Sequence, residues 1–357
     1  MNLAALTAIT DGARVVAIGE TAHHVPGYLR LRREMVEFLV QKAGFTVVAM
    51  ESGFPEGLAL DAWLSGAPGP FPASALTYGF GAHAETRALF EWLRSIGGIR
   101  YHGVDLPAGL ASMLPALDVV TTHPASSIDA LSEIRRLATM YARPDTIPAF
   151  AAYAAMSQTD RDHLTVLLSC LAARLDALGP LHPAPGNATA RHALQMAVLL
   201  DQQLRTQLAG DPAVNVRDHA MATTMSWLLS RTDARVILIA ANSHIQRVPV
   251  VAGPYTFPVL GQHLAASVGP SYVSIGMTTA TGTTVTRRAA PDHPAGFETA
   301  VVDLPPAPED SAEAILGPGL HRLSPSSPAG ARIRSLDNFA EVTVAAAFDA
   351  VVCLPAT

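Results

Sequence analysis

Lysine is nearly absent: Lys42 is the single one in 357 residues, and arginine carries the rest of the positive charge. The 24 basic residues are outnumbered by 30 acidic ones, and the net charge of −6 comes with no basic run. A nucleic-acid partner is therefore not expected, because phosphate neutralisation by clustered cations supplies most of that affinity. Cysteine is as scarce. Cys170 and Cys353 lie far apart, so no disulfide framework is available and the usage fits a reducing compartment. Charged residues make up 15% of the chain against 49% hydrophobic, the reverse of a disordered composition. Apolar runs are short, and none reaches the ~20 residues that span a bilayer. The start, Met1-Asn2-Leu3-Ala4-Ala5-Leu6, lacks the basic region and cleavage site of a signal peptide. We expect a cytoplasmic globular protein with no nucleic-acid and no membrane partner, long enough to build its core without staples.

What is present is a repeated pattern of apolar runs that end in polar groups. Val15-Val16-Ala17-Ile18 reads as a short buried strand, and the turn after it delivers Glu20, His23 and His24. A helix follows from Tyr28 to Val40. Phe45 to Met50 is a second apolar run, ending on Glu51, with Gly44 before it as a helix stop. Helical segments Pro55–Leu64 and Glu85–Arg94 flank a Gly-, Pro- and Ala-rich loop from Ser65 to Phe80, and Ile99 to Val104 is a third strand ending on Asp105. Three such units with short connections predict an α/β fold with a mostly parallel, doubly wound sheet flanked by helices.

The pattern changes at Ala108. From there to Ala209 only helical periodicity is found, with helices expected over Ile128–Tyr141, Thr159–Leu178 and Ala188–Leu208. We read residues 108–212 as an inserted α-helical cap between two parts of the core, 1–107 and 213–357, placed to shape a substrate cavity. After a helix over Asn215–Ser230, strands are expected at Ala234–Ala241, at Tyr272–Thr278 and at Ala347–Leu354. The first of these leads into Asn242-Ser243-His244. Ala289 to Gly330 is poorly patterned and rich in Pro and Ala.

In a parallel sheet all the carboxyl ends open on one rim, so Glu20 with His23, Glu51, Asp105, and Asn242 with His244 should gather there. A single acid at a strand end is often a helix N-cap. Four such ends with two imidazoles point instead to general base chemistry, because a carboxylate orients a histidine ring and supports the charge it acquires. Arg32, on the first helix, is placed to hold a carboxylate or polarise a carbonyl. The sequence has no Gly-x-Ser-x-Gly elbow, no phosphate-binding loop, no dinucleotide fingerprint and no His-Glu-x-x-His zinc helix. His23, His244, Glu51 and Asp105 are of metal-ligating type but have no spacing motif. We expect no metal and no cofactor.

Gly19-Glu20-Thr21-Ala22-His23, with Arg32 nine residues on and Glu51 ending the next strand, resembles the erythromycin esterase family. So do Arg217-Asp218-His219-Ala220-Met221, Asn242-Ser243-His244-Ile245-Gln246, Gly261-Gln262-His263-Leu264 and the closing Ala347-Phe348-Asp349-Ala350-Val351. The resemblance covers nearly the whole chain. It implies an α/β core with a helical cap and hydrolysis of a macrolactone ester by histidine-activated water, without a covalent intermediate. By that resemblance His23 is the base, Glu51 and Glu20 orient it and the water, and Arg32 and His244 complete the catalytic set. Asp105, Asn242, His24 and His263 are then expected to bind a small-molecule substrate, a polyketide or lactone. One position departs: where the family commonly shows a histidine after the fourth strand, this chain has Ala241. The alternatives are a diverged natural-product tailoring enzyme that uses the same base for elimination or cyclisation, and a non-catalytic small-molecule binding protein.

Overall fold

Seven strands form the central sheet of the computed structural model, which describes residues 5–211 and 213–357. The first four residues of the stretch read for a leader, and residue 212 at the edge of the expected cap, lie outside the described residues. In chain order the strands are β1 Val15–Ile18, β2 Phe45–Gly53, β3 Arg100–Asp105, β4 Arg235–Ile239, β5 Val250–Ala252, β6 Tyr255–Phe257, β7 Tyr272–Thr281, β8 Thr283–Ala289, β9 Phe297–Asp303, β10 Gly319–Arg322, β11 Arg332–Ser335, β12 Asn338–Glu341 and β13 Ala350–Ala356. The sheet runs β10-β13-β7-β1-β4-β2-β3. All its pairings are parallel except β10 with β13, an antiparallel pair at one edge. The mostly parallel sheet is as expected. The edge strand β10 lies in the Pro- and Ala-rich stretch where no strand was expected.

Strand β1 is the middle of the seven, and all four of its residues are fully buried. Alternate side chains go to opposite faces. Val16, Ile18, Val48, Met50 and Ile237 share one core with Leu31, Met35 and Leu39 of the helix Pro26–Ala43. Val15, Ala17, Val47, Ala49 and Val236 share another with Met221 and Met225 of the helix Val216–Leu229 and Leu260 and Leu264 of Leu260–Val268. Covering both faces is why these strands read as unbroken apolar runs rather than alternating ones. The helix Pro26–Ala43 stops at Gly44, whose φ of 71° lets its N–H turn back to the Leu39 carbonyl.

The order of strands places the site. The connection after β1 carries the chain past β4 to β2, whereas the connection after β4 carries it back past β1 to β7. Neighbouring strands whose connections leave in opposite directions open a crevice between the loops at their carboxyl ends. Those loops hold Glu20–His24 and Ala241–His244.

Residues 114–209 contain helices Leu114–Val120, Ile128–Tyr141, Thr146–Ala155, Gln158–Leu178 and Pro185–Ala209, and no strand among the described residues. They pack on one another through a core that also takes in Phe54, Leu106, Val216 and Ala220 of the flanking α/β segments, and in which Leu164, Leu168, Leu171 and Leu175 form one stripe. The segment Gln158–Leu181 (24 residues) contains an 18-residue window of mean hydropathy 1.5, long and apolar enough, by length and composition, to cross a membrane. Asp160, Arg161, Asp162, Arg174 and Asp176 interrupt it, so no continuous apolar run marks it in the sequence.

Two hairpins, β8–β9 and β11–β12, were not expected either. Much of their surface faces solvent, as Val301 at 70% exposure illustrates, so the hydrophobic period that betrays a strand is missing.

Candidate active site

The turn after β1 sends Glu20 inward and His23 to the crevice wall. Glu20, 2% exposed, accepts from His23 Nδ1 at 2.8 Å and from Arg32 Nη1 at 3.5 Å. Arg32 is equally buried and also donates to Thr86 Oγ1 at 3.5 Å, so it stands behind Glu20 rather than in the cleft. The other ring nitrogen of His23, Nε2, faces Glu51 Oε1 at 3.7 Å.

Glu51 is the junction of the two sides. Its Oε2 accepts from the Ala241 backbone N–H at 2.9 Å, and its Oε1 accepts from Arg217 Nη2 at 2.7 Å and lies 3.3 Å from His244 Nε2. Ala241, which stands where the resemblance leads one to expect a histidine, thus serves Glu51 through its backbone. His244 donates through Nδ1 to Asp218 Oδ1 at 2.8 Å. Asp218 is itself held by the Leu260 N–H and by Asn215, the cap of its helix.

Arg217 fills the space between the acids. Nη2 reaches Asp105 Oδ2 at 2.6 Å, Nε lies 3.1 Å from both Asp105 oxygens, and Tyr78 Oη donates to Asp105 at 2.8 Å while accepting from Arg217 at 3.1 Å. Asp105, fully buried, is therefore an anchor for Arg217 and not part of the cleft lining.

Counting the acids as ionised, Glu20, Glu51, Asp105 and Asp218 face two guanidiniums, Arg32 and Arg217. The remaining two negative charges are balanced when His23 and His244 are protonated. Burial disfavours an imidazolium, but Glu51 and Glu20 outweigh it and raise His23 to about 9. Against the same burial, Asp218 and Glu51 raise His244 to about 10. Glu51 is opposed by burial too, yet His244, His23 and Arg217 hold it well below the usual carboxylate range.

These shifts set a stability profile. A histidine raised above its ordinary 6.5 stabilises the fold fully below that value and loses its contribution as pH climbs through its folded value. The melting temperature is expected to fall between about pH 7 and pH 10. His244→Gln should flatten that alkaline limb, and an unchanged slope in this variant would remove His244 as its source.

Around this cluster lies a cleft of about 1000 Å³ whose walls include His23, His24, Glu51, Tyr78, Ser243 and His244. Among the described residues, five non-glycine ones have a positive φ: His24, Tyr78, Ala108, Leu110 and Leu336. All five line this cleft. Such backbone costs of order 1–3 kcal/mol per residue and collects at functional sites.

Two expected substrate contacts lie elsewhere. Asn242 is buried and clips β7, donating to the Met277 carbonyl at 2.8 Å and accepting from its N–H at 3.1 Å. A side chain with both polar atoms engaged on backbone is not free to bind substrate. His263 sits on Leu260–Val268 against His219, rings 5.9 Å apart, outside the cleft lining. His24 does line it, paired through Nδ1 with His83 Nε2 at 2.8 Å. Burial, with His23 and His83 beside it, pushes His24 down to about 4. Arg217, Asp218, Tyr78, His83 and Ser243 were not singled out as site residues. The one available signal was Arg217-Asp218 at the start of a helix before the fourth strand.

A family model of erythromycin esterases matches residues 40–357. Erythromycin esterase type II of Escherichia coli is 26% identical over 340 residues, covering 88% of this chain and 81% of its own. Erythromycin esterase type I of Escherichia coli is 27% identical over 391 aligned positions, covering 98% of this chain and 92% of its own. Among solved structures, a mutant of the erythromycin esterase EreC in its open conformation superimposes with a TM-score of 0.86 at 23% identity, over 98% of this chain and 92% of that one. A succinoglycan biosynthesis protein does so with a TM-score of 0.76 at 19% identity, over 99% and 91%. Those two likenesses carry the α/β fold. With the family match covering most of the chain, Glu51, Arg217, Asp218 and His244 of the site included, the chain belongs to the erythromycin esterase family.

Proposed function

We propose that this protein hydrolyses a macrolactone or related ester with a water molecule activated by His23, without a covalent intermediate. The observation that carries the reading is the setting of His23 on the cleft wall. Its Nδ1 is pinned by Glu20, its side chain is 23% exposed, and its Nε2 is turned toward Glu51 beyond direct hydrogen-bond range. A water held between Nε2 and Glu51 gives up its proton to the imidazole as it attacks the ester carbonyl. Glu20 then supports the positive ring, and Glu51 keeps the water oriented. Glu51 is a poor base itself, because Arg217, Ala241 N–H and the imidazoles hold it ionised. Ser243 lines the cleft, but the ring nitrogens of neighbouring His244 face Asp218 and Glu51, which speaks against a serine nucleophile.

Residues 108–212 serve in this proposal as the cap that closes the cleft from above, and the substrate is a small molecule, a polyketide or lactone. No cofactor enters the reaction.

The experiment is to incubate the protein with a panel of macrolides and simpler lactones in ¹⁸O-labelled water. Product heavier by one labelled water is expected, and product formed without the label would replace hydrolysis by elimination or cyclisation. The working base is neutral imidazole, so kcat/KM should rise about tenfold per pH unit below about 9 and level off above it. A flat profile from pH 6 to 10 would exclude His23 as the base.

A further inference from the structure

One wall of the cleft takes no part in this chemistry. It is the β8–β9 hairpin, whose register sets Arg287 opposite Thr299 and Arg288 opposite Glu298. The hairpin is tied to the site at one end: Thr286 Oγ1 donates to Asp337 Oδ1 at 3.1 Å, and the neighbouring Leu336 N–H donates to the Thr21 carbonyl at 3.0 Å. At its other end it touches the cap. Gly296, with φ +77°, lies so close that a Cβ there would stand 2.7 Å from Ile147 Cγ2.

Both residues line the cleft and both are exposed; alternation along β8 turns Arg287 to the face of Phe297 and Thr299, which also line it, and Arg288 to the face of Glu298. Among the described residues neither is joined to a carboxylate, Glu298 across the ladder included. Arg287 rests over the Phe297 ring, 4.5 Å from its centroid, which restrains its charge toward the cavity that Phe297 also lines. Apart from Glu51, the acid in the lining is Asp145, on the cap wall. A guanidinium with no carboxylate partner, held on the cleft wall as Arg287 is, matches the planar, two-pronged geometry of an oxyanion.

We propose that the substrate carries an anionic oxygen group, a carboxylate or a phosphate, that docks on Arg287, with the charge of Arg288 beside it on the same strand, while its ester reaches His23. This rests on the hydrolytic reading above, and its test separates the two. One arm measures turnover of two aryl esters of equal chain length, mono-4-nitrophenyl glutarate and the neutral 4-nitrophenyl valerate. The anionic ester should have the higher kcat/KM. That ratio should fall about tenfold, through KM, in Arg287→Gln/Arg288→Gln, shrink with added salt, and largely return in Arg287→Lys/Arg288→Lys. The other arm measures binding to the His23→Ala variant by calorimetry, using glutaranilic acid, its phosphonate counterpart and neutral valeranilide. Tighter binding of either anionic anilide, lost with both arginines, supports the subsite even if no ester is turned over, in which case it is the hydrolytic reading that falls. Of the two anions, the tighter names the group. Equal binding of charged and neutral anilides, no binding of any, or a preference that survives both glutamine substitutions overturns the proposal.

Discussion

Replacing His23 by alanine is expected to lower kcat/KM for a hydrolysed lactone about 10²–10⁴-fold, the usual span for loss of a general base. The fold should tolerate the change, because the His23 side chain is 23% exposed and sits at the crevice wall rather than in either core. The imidazole also keeps Glu20 and Glu51 company as a cation. Without it those two buried acids face each other across the turn with only Arg32 and Arg217 to balance them. Part of any loss in activity therefore comes from a displaced Glu51. His23→Gln keeps a hydrogen-bond donor toward Glu20 but, being neutral, supplies neither the proton transfer nor the cation. If the glutamine variant is as inactive as the alanine one, the loss comes from the missing titratable ring and not from the hydrogen bond to Glu20. Activity within a few fold of the parent in either variant would exclude His23 as the base.

Arg217→Ala is expected to destabilise the protein by about 3–5 kcal/mol, the range seen when one partner of a buried ion pair is removed. The reason is the state of what remains. Asp105 is fully exposed to no solvent and Glu51 is 2% exposed, so neither acid can exchange the guanidinium for water. Urea denaturation should show a lower midpoint with an unchanged slope. Arg217→Lys keeps a charge but cannot reach Asp105 and Glu51 with separate prongs, so an intermediate loss is expected. Arg217→Met with Asp105→Leu should recover part of the stability, because removing both members of a buried pair is far less costly than removing one. A loss below about 1 kcal/mol in Arg217→Ala would mean that these acids are satisfied by Tyr78 and backbone donors alone.

Local chemistry made half of the site readable in advance. Apolar runs at Val15–Ile18 and Phe45–Met50 can only be strands buried on both faces, and their ends deliver Glu20, His23 and Glu51 to a shared rim. The loop after β4 brings His244 by the same logic. A helix stop at Gly44 and the long helical block after Ala108 follow from residue type and period. None of this depends on which strand lies beside which.

The tertiary structure decided the rest. Arg217 is 166 residues from Glu51 and 112 from Asp105, and nothing near it in sequence distinguishes an arginine that will be buried between acids from one on a helix surface. Only the packing of Val216–Leu229 against the sheet beside β3 makes it the centre of the cluster. Tyr78 enters through a backbone with φ 58° followed by Gly79 at φ 76°, a turn held by its surroundings rather than by local preference. Asn242 and His263 have the right chemistry at the right ends of the chain's motifs, yet strand pairing draws one into β7 and helix packing turns the other away. The chain by itself determined the buried strands of the sheet, the long helices and which polar groups stand at their ends, because those follow from contacts a few residues apart, whereas β10 and the exposed hairpins did not show in its pattern. Which of these groups meet, which face the cleft, and that two arginines stand unpaired on its far wall were decided only by the fold, because long-range packing chooses partners that no local pattern encodes.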